Sequence, residues 1–218
     1  MGVRIRMKGE ELINKVLSGE RDLSGIELEE GFNLNLNSKF NQLIDYLKEQ
    51  DLKNKPLNVD HSEFKGLKAR GIYLPYISAK KTNFEECDFF RSDFENGNIS
   101  DAYIRKTNLS ESNMSRVDFS KSLIFKCWIF RAYLSNSNFS NSKIIDSHLG
   151  NSNLKESLFN KSVIFQSYLG NSNLKRSDFS MSEIDSSSFE GAYLEGINLE
   201  GAVLVNVSFE DAYLKNPI

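Results

Sequence analysis

Every fifth residue of this chain from Phe64 to Leu214 is apolar, an unbroken run of thirty-one positions in which only Ala69 and Ala79 are not Phe, Leu, Ile or Met. Two residues before each of these centres the side chain is mostly small, as at Ser112, Ser122, Cys127, Ala132 and Ser137. The exceptions, such as Leu67, Ile72, Ile77 and Ile197, gather towards the two ends. A period of five suits neither regular element: five steps of 100° scatter the residues around a helix, and five steps of 180° alternate the faces of a strand. The chain must therefore turn every five residues. If four turns close one coil, residues twenty apart stack, and the columns match: Ile104, Ile124, Ile144, Ile164 and Ile184 in one, Phe119, Phe139, Phe159 and Phe179 in another. The near-identical segments SHLGNSNLK (147–155) and SYLGNSNLK (167–175) repeat at the same spacing.

The units Ala132-Tyr133-Leu134, Ser152-Asn153-Leu154, Ser177-Asp178-Phe179 and Ala192-Tyr193-Leu194 resemble the A(D/N)LXX repeat of the pentapeptide-repeat proteins. The resemblance covers about 155 of the 218 residues. It implies an all-β solenoid, a right-handed quadrilateral β-helix with large centres and small residues two before them filling the interior. This chain favours Ser where many members have Ala. At roughly 4.8 Å per coil, the repeats predict a rod about 37 Å long.

Residues 59–218 are expected to form this solenoid, and residues 1–58 short helices, a partial coil and a cap. Leu12, Ile13, Val16 and Leu17 fall at helical spacing over residues 10–17, with Gly19 as a stop. Leu23 and Leu28 sit in two repeat-like units, while Leu34 is one residue out of their register. Ser38 stands as an N-cap before Phe40, Leu43, Ile44 and Leu47, predicting a second helix that ends near Gln50. These elements are expected to cover the apolar end of the rod, as terminal solenoid units must.

With 39% hydrophobic and 26% charged residues, the chain reads as one soluble body. No apolar stretch is long enough for a membrane span or a secretory signal, and Arg6 stands where N-myristoylation needs Ser or Thr. A cytoplasmic protein is expected. Catalysis would need convergent groups, yet the only histidines, His61 and His148, lie far apart in the chain. Cys87 and Cys127 fall at small interior positions two coils apart, about 9.6 Å and beyond disulfide reach. There is no phosphate loop, Cys-x-x-Cys or His-Glu-x-x-His pattern. Neither enzymatic activity nor a catalytic, cofactor or metal site is expected, and no membrane partner.

Charge is uneven along the rod: −1 over residues 1–59, +5 over 60–176 and −7 over 177–218. The last segment holds Asp178, Glu183, Asp185, Glu190, Glu195, Glu200, Glu210 and Asp211, an acidic patch that could steer a basic partner. Residues beside each centre should face solvent, yet one side of three successive coils presents Leu123 and Phe125, then Lys143 and Ile145, then Val163 and Phe165. The adjoining side adds Trp128, Phe130 and Tyr168. Such a band marks a binding surface, or else neighbouring rungs shield one another. The expected function is a non-catalytic scaffold docking a protein partner through this face. The alternative follows from the resemblance, since some family members mimic duplex DNA, bind type II topoisomerases and confer fluoroquinolone resistance. The net positive charge of residues 60–176 fits that mimicry poorly, and nucleic acid itself is not an expected partner. The resemblance also implies a homodimer through the C-terminal coil.

Overall fold

A computed structural model describes residues 4–215. Ten strands of three residues each stack in one parallel sheet, in sequence order. They are β1 (Ile5–Met7), β2 (Ile26–Leu28), β3 (Glu63–Lys65), β4 (Asn83–Glu85), β5 (Tyr103–Arg105), β6 (Leu123–Phe125), β7 (Lys143–Ile145), β8 (Val163–Phe165), β9 (Glu183–Asp185) and β10 (Val203–Val205). From β3 onward each rung lies twenty residues from the next, as Phe64 with Phe84, Ile104 with Ile124 and Ile144 with Ile164. Ladders of isolated bridges form the other three sides of a right-handed quadrilateral β-helix. One runs Asp88, Asn108, Trp128, His148, Tyr168, the next Asp93, Asn113, Tyr133, Asn153, Asn173, and the last Asn98, Asp118, Asn138, Leu158, Asp178. Nine steps between ten strands give a stack of roughly 43 Å.

Each position of the repeat has a physical reason. The centres fill the interior: Phe119, Phe139, Phe159 and Phe179 are all buried, and their rings stack nearly parallel at 5.0, 4.8 and 4.5 Å. At two of the exceptions the centre shrinks to compensate, Leu67 with Ala69 and Ile77 with Ala79, while Ile72 and Ile197 are followed by the only partly buried Leu74 and Leu199. Asp or Asn just before a centre accepts a hydrogen bond from the N–H two residues on, turning the chain into the corner, as Asp93 does from Glu95 at 2.9 Å and Asp118 from Ser120 at 2.9 Å. The residue two past each centre then takes a left-handed φ, 58° at Lys121 and 60° at Asn136.

At the corner after the strand side a hydroxyl in the small position does what Ala could not. There the N–H of the small residue finds no carbonyl in its own turn, and the hydroxyl of the coil above takes its place: Cys127 N–H donates to Ser147 Oγ at 3.1 Å, and Ser147 N–H to Ser167 Oγ at 3.2 Å. Those hydroxyls in turn donate to main-chain carbonyls, Ser147 to Ile145 at 2.8 Å and Thr107 to Phe84 at 2.9 Å. A buried N–H left unpaired is costly, so a column of hydroxyls closes the ladder where backbone geometry cannot.

The N-terminal segment joins the same stack. β1 and β2 continue the ladder, so parallel pairing runs across residues 58 and 59 without a break. Helix α1 (Gly9–Leu17) and helix α2 (Phe40–Lys48) pack together, burying Ile13, Val16, Leu43 and Leu47. Two expectations shift in detail. Ser38 does not cap α2: the N-cap position is Lys39, whose N–H is taken by Asn37 Oδ1 at 2.9 Å. The register slip at Leu34 is one extra residue between Glu27, which pairs with Glu63, and Asn33, which bridges to Lys68, and Leu34 is buried nonetheless. No helix among the described residues is long and apolar enough to cross a membrane.

Candidate partner-binding surface

Among the described residues the strand side carries the only three-residue rungs of the coil, and extended backbone there favours β-branched and aromatic side chains on both sides of the buried centre. Consequently Leu123, Lys143 and Val163 stand in one outward column, and Phe125, Ile145 and Phe165 in the other. The apolar members are half-buried, each shielded by the rungs above and below, while Lys143 is exposed. Lys126 extends its ammonium over the Phe125 ring, 5.0 Å from the centroid. The N-terminal segment does not cover this face: its described hydrogen bonds into the solenoid reach no further than Ser78, whose N–H donates to Leu57, and Leu123 lies more than two coils further along.

Around the next corner, Trp128, His148 and Tyr168 form the outward ladder of the second side, beside an open groove of about 900 Å³ that Lys126, Asp146 and Gln166 also line. Trp128 is 53% exposed. Tyr168 lies flat because Gly150 and Gly170 vacate the space beneath it: a Cβ on either would fall within 2.5 Å of its ring. His148 sits between Tyr168, tilted against it at 4.8 Å, and Phe130, edge-on at 5.7 Å, so the adjoining side presents an aromatic cluster that the polar corner of Lys126, Asp146 and Gln166 separates from the strand-side band. The structure thus brings together all eight residues of the expected band, on two sides meeting at one corner. The glycine shelf under Tyr168 had a sequence signal, the repeated Leu-Gly of 149–150 and 169–170, that the period of five does not reveal.

The acidic residues do not share a face. Glu183 and Asp185 are on the strand side, Asp178 on the fourth side, and Glu190, Glu195 and Glu200 at three different corners, with Glu210 and Asp211 on the last coil. They collar the C-terminal end, and some are already engaged: Glu195 pairs with Lys175 at 3.1 Å, and Asp178 accepts from Asn198 at 3.0 Å. That last coil leaves its own centres open, with Leu204 40% and Leu214 52% exposed.

Both cysteines are buried, unpaired interior residues. Their thiols donate to the carbonyls of Phe64 and Ile104 at 3.3 Å each, in the manner of the serines. Loss of solvent pushes the thiol of Cys87 up to about 12 and that of Cys127 up to about 11. Among the described residues, no three His, Cys, Asp or Glu side chains converge to hold a metal ion.

A sequence profile described as pentapeptide repeats matches residues 182–216 in eight copies. No curated protein matches the chain significantly. Among solved structures it is similar to HetL, a pentapeptide repeat protein involved in heterocyst differentiation regulation from the cyanobacterium Nostoc sp. strain PCC 7120, with 17% identity over 97% of each chain and a TM-score of 0.39. Full-length QnrB1, a plasmid-mediated fluoroquinolone resistance protein, shows 16% identity over 73% of this chain and 84% of its own, with a TM-score of 0.33. Rfr23, a pentapeptide repeat protein from the cyanobacterium Cyanothece 51142, shows 20% identity over 47% and 63%, with a TM-score of 0.19. These overlaps are loose, and the fold rests on the chain's own period and ladders.

Proposed function

This chain is a pentapeptide-repeat protein, and we propose that it works as a non-catalytic scaffold whose strand side docks a protein partner. The observation that carries the reading is the apolar band on a rigid parallel sheet: Leu123, Phe125, Ile145, Val163 and Phe165 stand at outward positions that solvation alone would fill with polar residues. A preordered sheet loses little conformational freedom on docking, so modest apolar contact suffices for association. The DNA-mimic alternative that the family resemblance raises would call for acid along the rod, and here acid collars one end. Affinity capture compares wild type with a Phe125→Ser, Phe165→Ser variant, both checked for fold by circular dichroism. Loss of a partner with the variant alone is the expected result. Equal capture by both, with a type II topoisomerase retained through residues 178–211, would replace this reading by the mimic.

A further inference from the structure

The two outward columns of the strand side are charged at only two of the five rungs from β6 to β10. In one column the order is Leu123, Lys143, Val163, Glu183, Val203; in the other it is Phe125, Ile145, Phe165, Asp185, Val205. Lys143 and Glu183 are both exposed, and neither forms an ion pair among the described residues. About Val163 the first column is antisymmetric in charge and symmetric in apolarity. We propose that this face pairs with the same face of a second copy, antiparallel, about a two-fold axis lying along β8. The proposal rests on the strand side being a protein-docking surface, and names the partner.

A two-fold parallel to the strands and lying between the sheets reverses the rod direction while keeping each column opposite itself. Val163 and Phe165 then meet their copies, Lys143 faces Glu183 of the other copy twice, and Leu123 and Phe125 face Val203 and Val205. Stacked sheets lie roughly 10 Å apart, which a lysine and a glutamate reaching towards each other can span. Asp185 falls opposite Ile145, with Lys143 in the same facing rung and Lys126 one coil away. Other registers fail. Centring on β7 puts Lys143 against itself, centring on β9 puts Glu183 against itself, and a two-fold along the rod axis sets Lys143 against Ile145. Only the β8-centred pairing matches opposite charges and ends where the apolar band ends. Five rungs make an area below the roughly 1,200 Å² of stable complexes, so the association belongs to the weak, concentration-dependent class.

Sedimentation equilibrium from micromolar to millimolar concentration is the test, using wild type, Lys143→Glu, Glu183→Lys and the variant carrying both. Surface charge changes leave the fold intact, which circular dichroism checks. Wild type is expected to dimerise, and each single variant, with like charges facing twice, to weaken the dimer by roughly tenfold or more. The double variant restores it. A wild type that stays monomeric, or a dimer indifferent to both charge reversals and lost instead with Leu214→Glu at the terminal coil, overturns the proposal. A monomer that still captures a protein through Phe125 and Phe165 removes the second copy while leaving the docking face in place; equal capture without those side chains removes the face itself.

Discussion

At the scale of the residue, the repeat divides labour between volume and hydrogen bonding. Phe139 is buried between two stacked rings, so Phe139→Ala opens a cavity and should lower stability by about 3–5 kcal/mol. Ser142, equally buried at the wall, has no room for a larger group, and Ser142→Leu should disrupt the coil more severely. Thermal melts of the two variants decide the order, and a harmless Ser142→Leu would contradict the close-packed square interior. The cysteines give a pH signature. Their folded thiols lose protons only near 11 and 12, whereas in the unfolded chain they ionise near 9.0. Because the unfolded state releases its protons first, stability is full below about pH 9 and falls as pH rises towards the folded values, by up to about 1.4 kcal/mol per unit per thiol. Cys87→Ser with Cys127→Ser, matching the serines of neighbouring coils, should flatten that alkaline decline relative to wild type. Chemical denaturation at pH 8 and 10.5 measures it, and identical slopes would mean the thiols are not sequestered.

At the scale of the element, the corners and the N-terminal cap set local stability. Lys121 holds a left-handed φ of 58°, a conformation Asn tolerates better, so Lys121→Asn should raise the melting free energy by roughly 0.5 kcal/mol. Helices α1 and α2 close the first coils by burying Leu43 and Leu47 against the stack. Solenoid stability is summed from neighbouring units, so damage at one end spreads inward rather than melting the whole. Leu47→Ala should therefore speed amide exchange in β1 to β3 while β7 and β8 keep their protection, as hydrogen–deuterium exchange by segment would show; uniform acceleration would instead mean a single cooperative body. The helices were legible in the sequence from their apolar spacing. The start of α2 was not, because no side chain caps it: Asn37 turns the chain just ahead of the helix by accepting from the Lys39 N–H, which a search for Ser before the first helical residue overlooks. The continuity of β1 and β2 with the solenoid was legible only as the repeat-like units at Leu23 and Leu28, since the α2 insertion sets Glu63 thirty-six residues after its partner Glu27 and hides the period of twenty.

At the scale of the molecule, the square rod was readable almost entirely, because one spacing of five and one of twenty leave a single way to bury the centres between Phe64 and Leu194. The proposed docking face was only half readable. Its apolar columns follow from the same arithmetic, but β propensity on the strand side already favours such residues, and nothing in the sequence told whether the helices near residue 44 would lie over them. The structure leaves them at the far side of the N-terminal cap's reach, and it adds the Gly150 and Gly170 shelf that lays Tyr168 against the same corner. Charge, by contrast, reads differently in space than in sequence: the run of acid after Ser177 looks like a patch along the chain and is a collar around the rod. What distinguishes the strand side from the other three is therefore flat, ordered apolar surface. The most direct measurement of that distinction places a photocrosslinking benzoylphenylalanine at Ile145 on the strand side or, as the control, at Asn173 on the side opposite. Protein adducts formed through position 145 and absent through position 173 are the predicted result; adducts formed equally at both, or at 173 alone, would contradict the strand side as the docking surface.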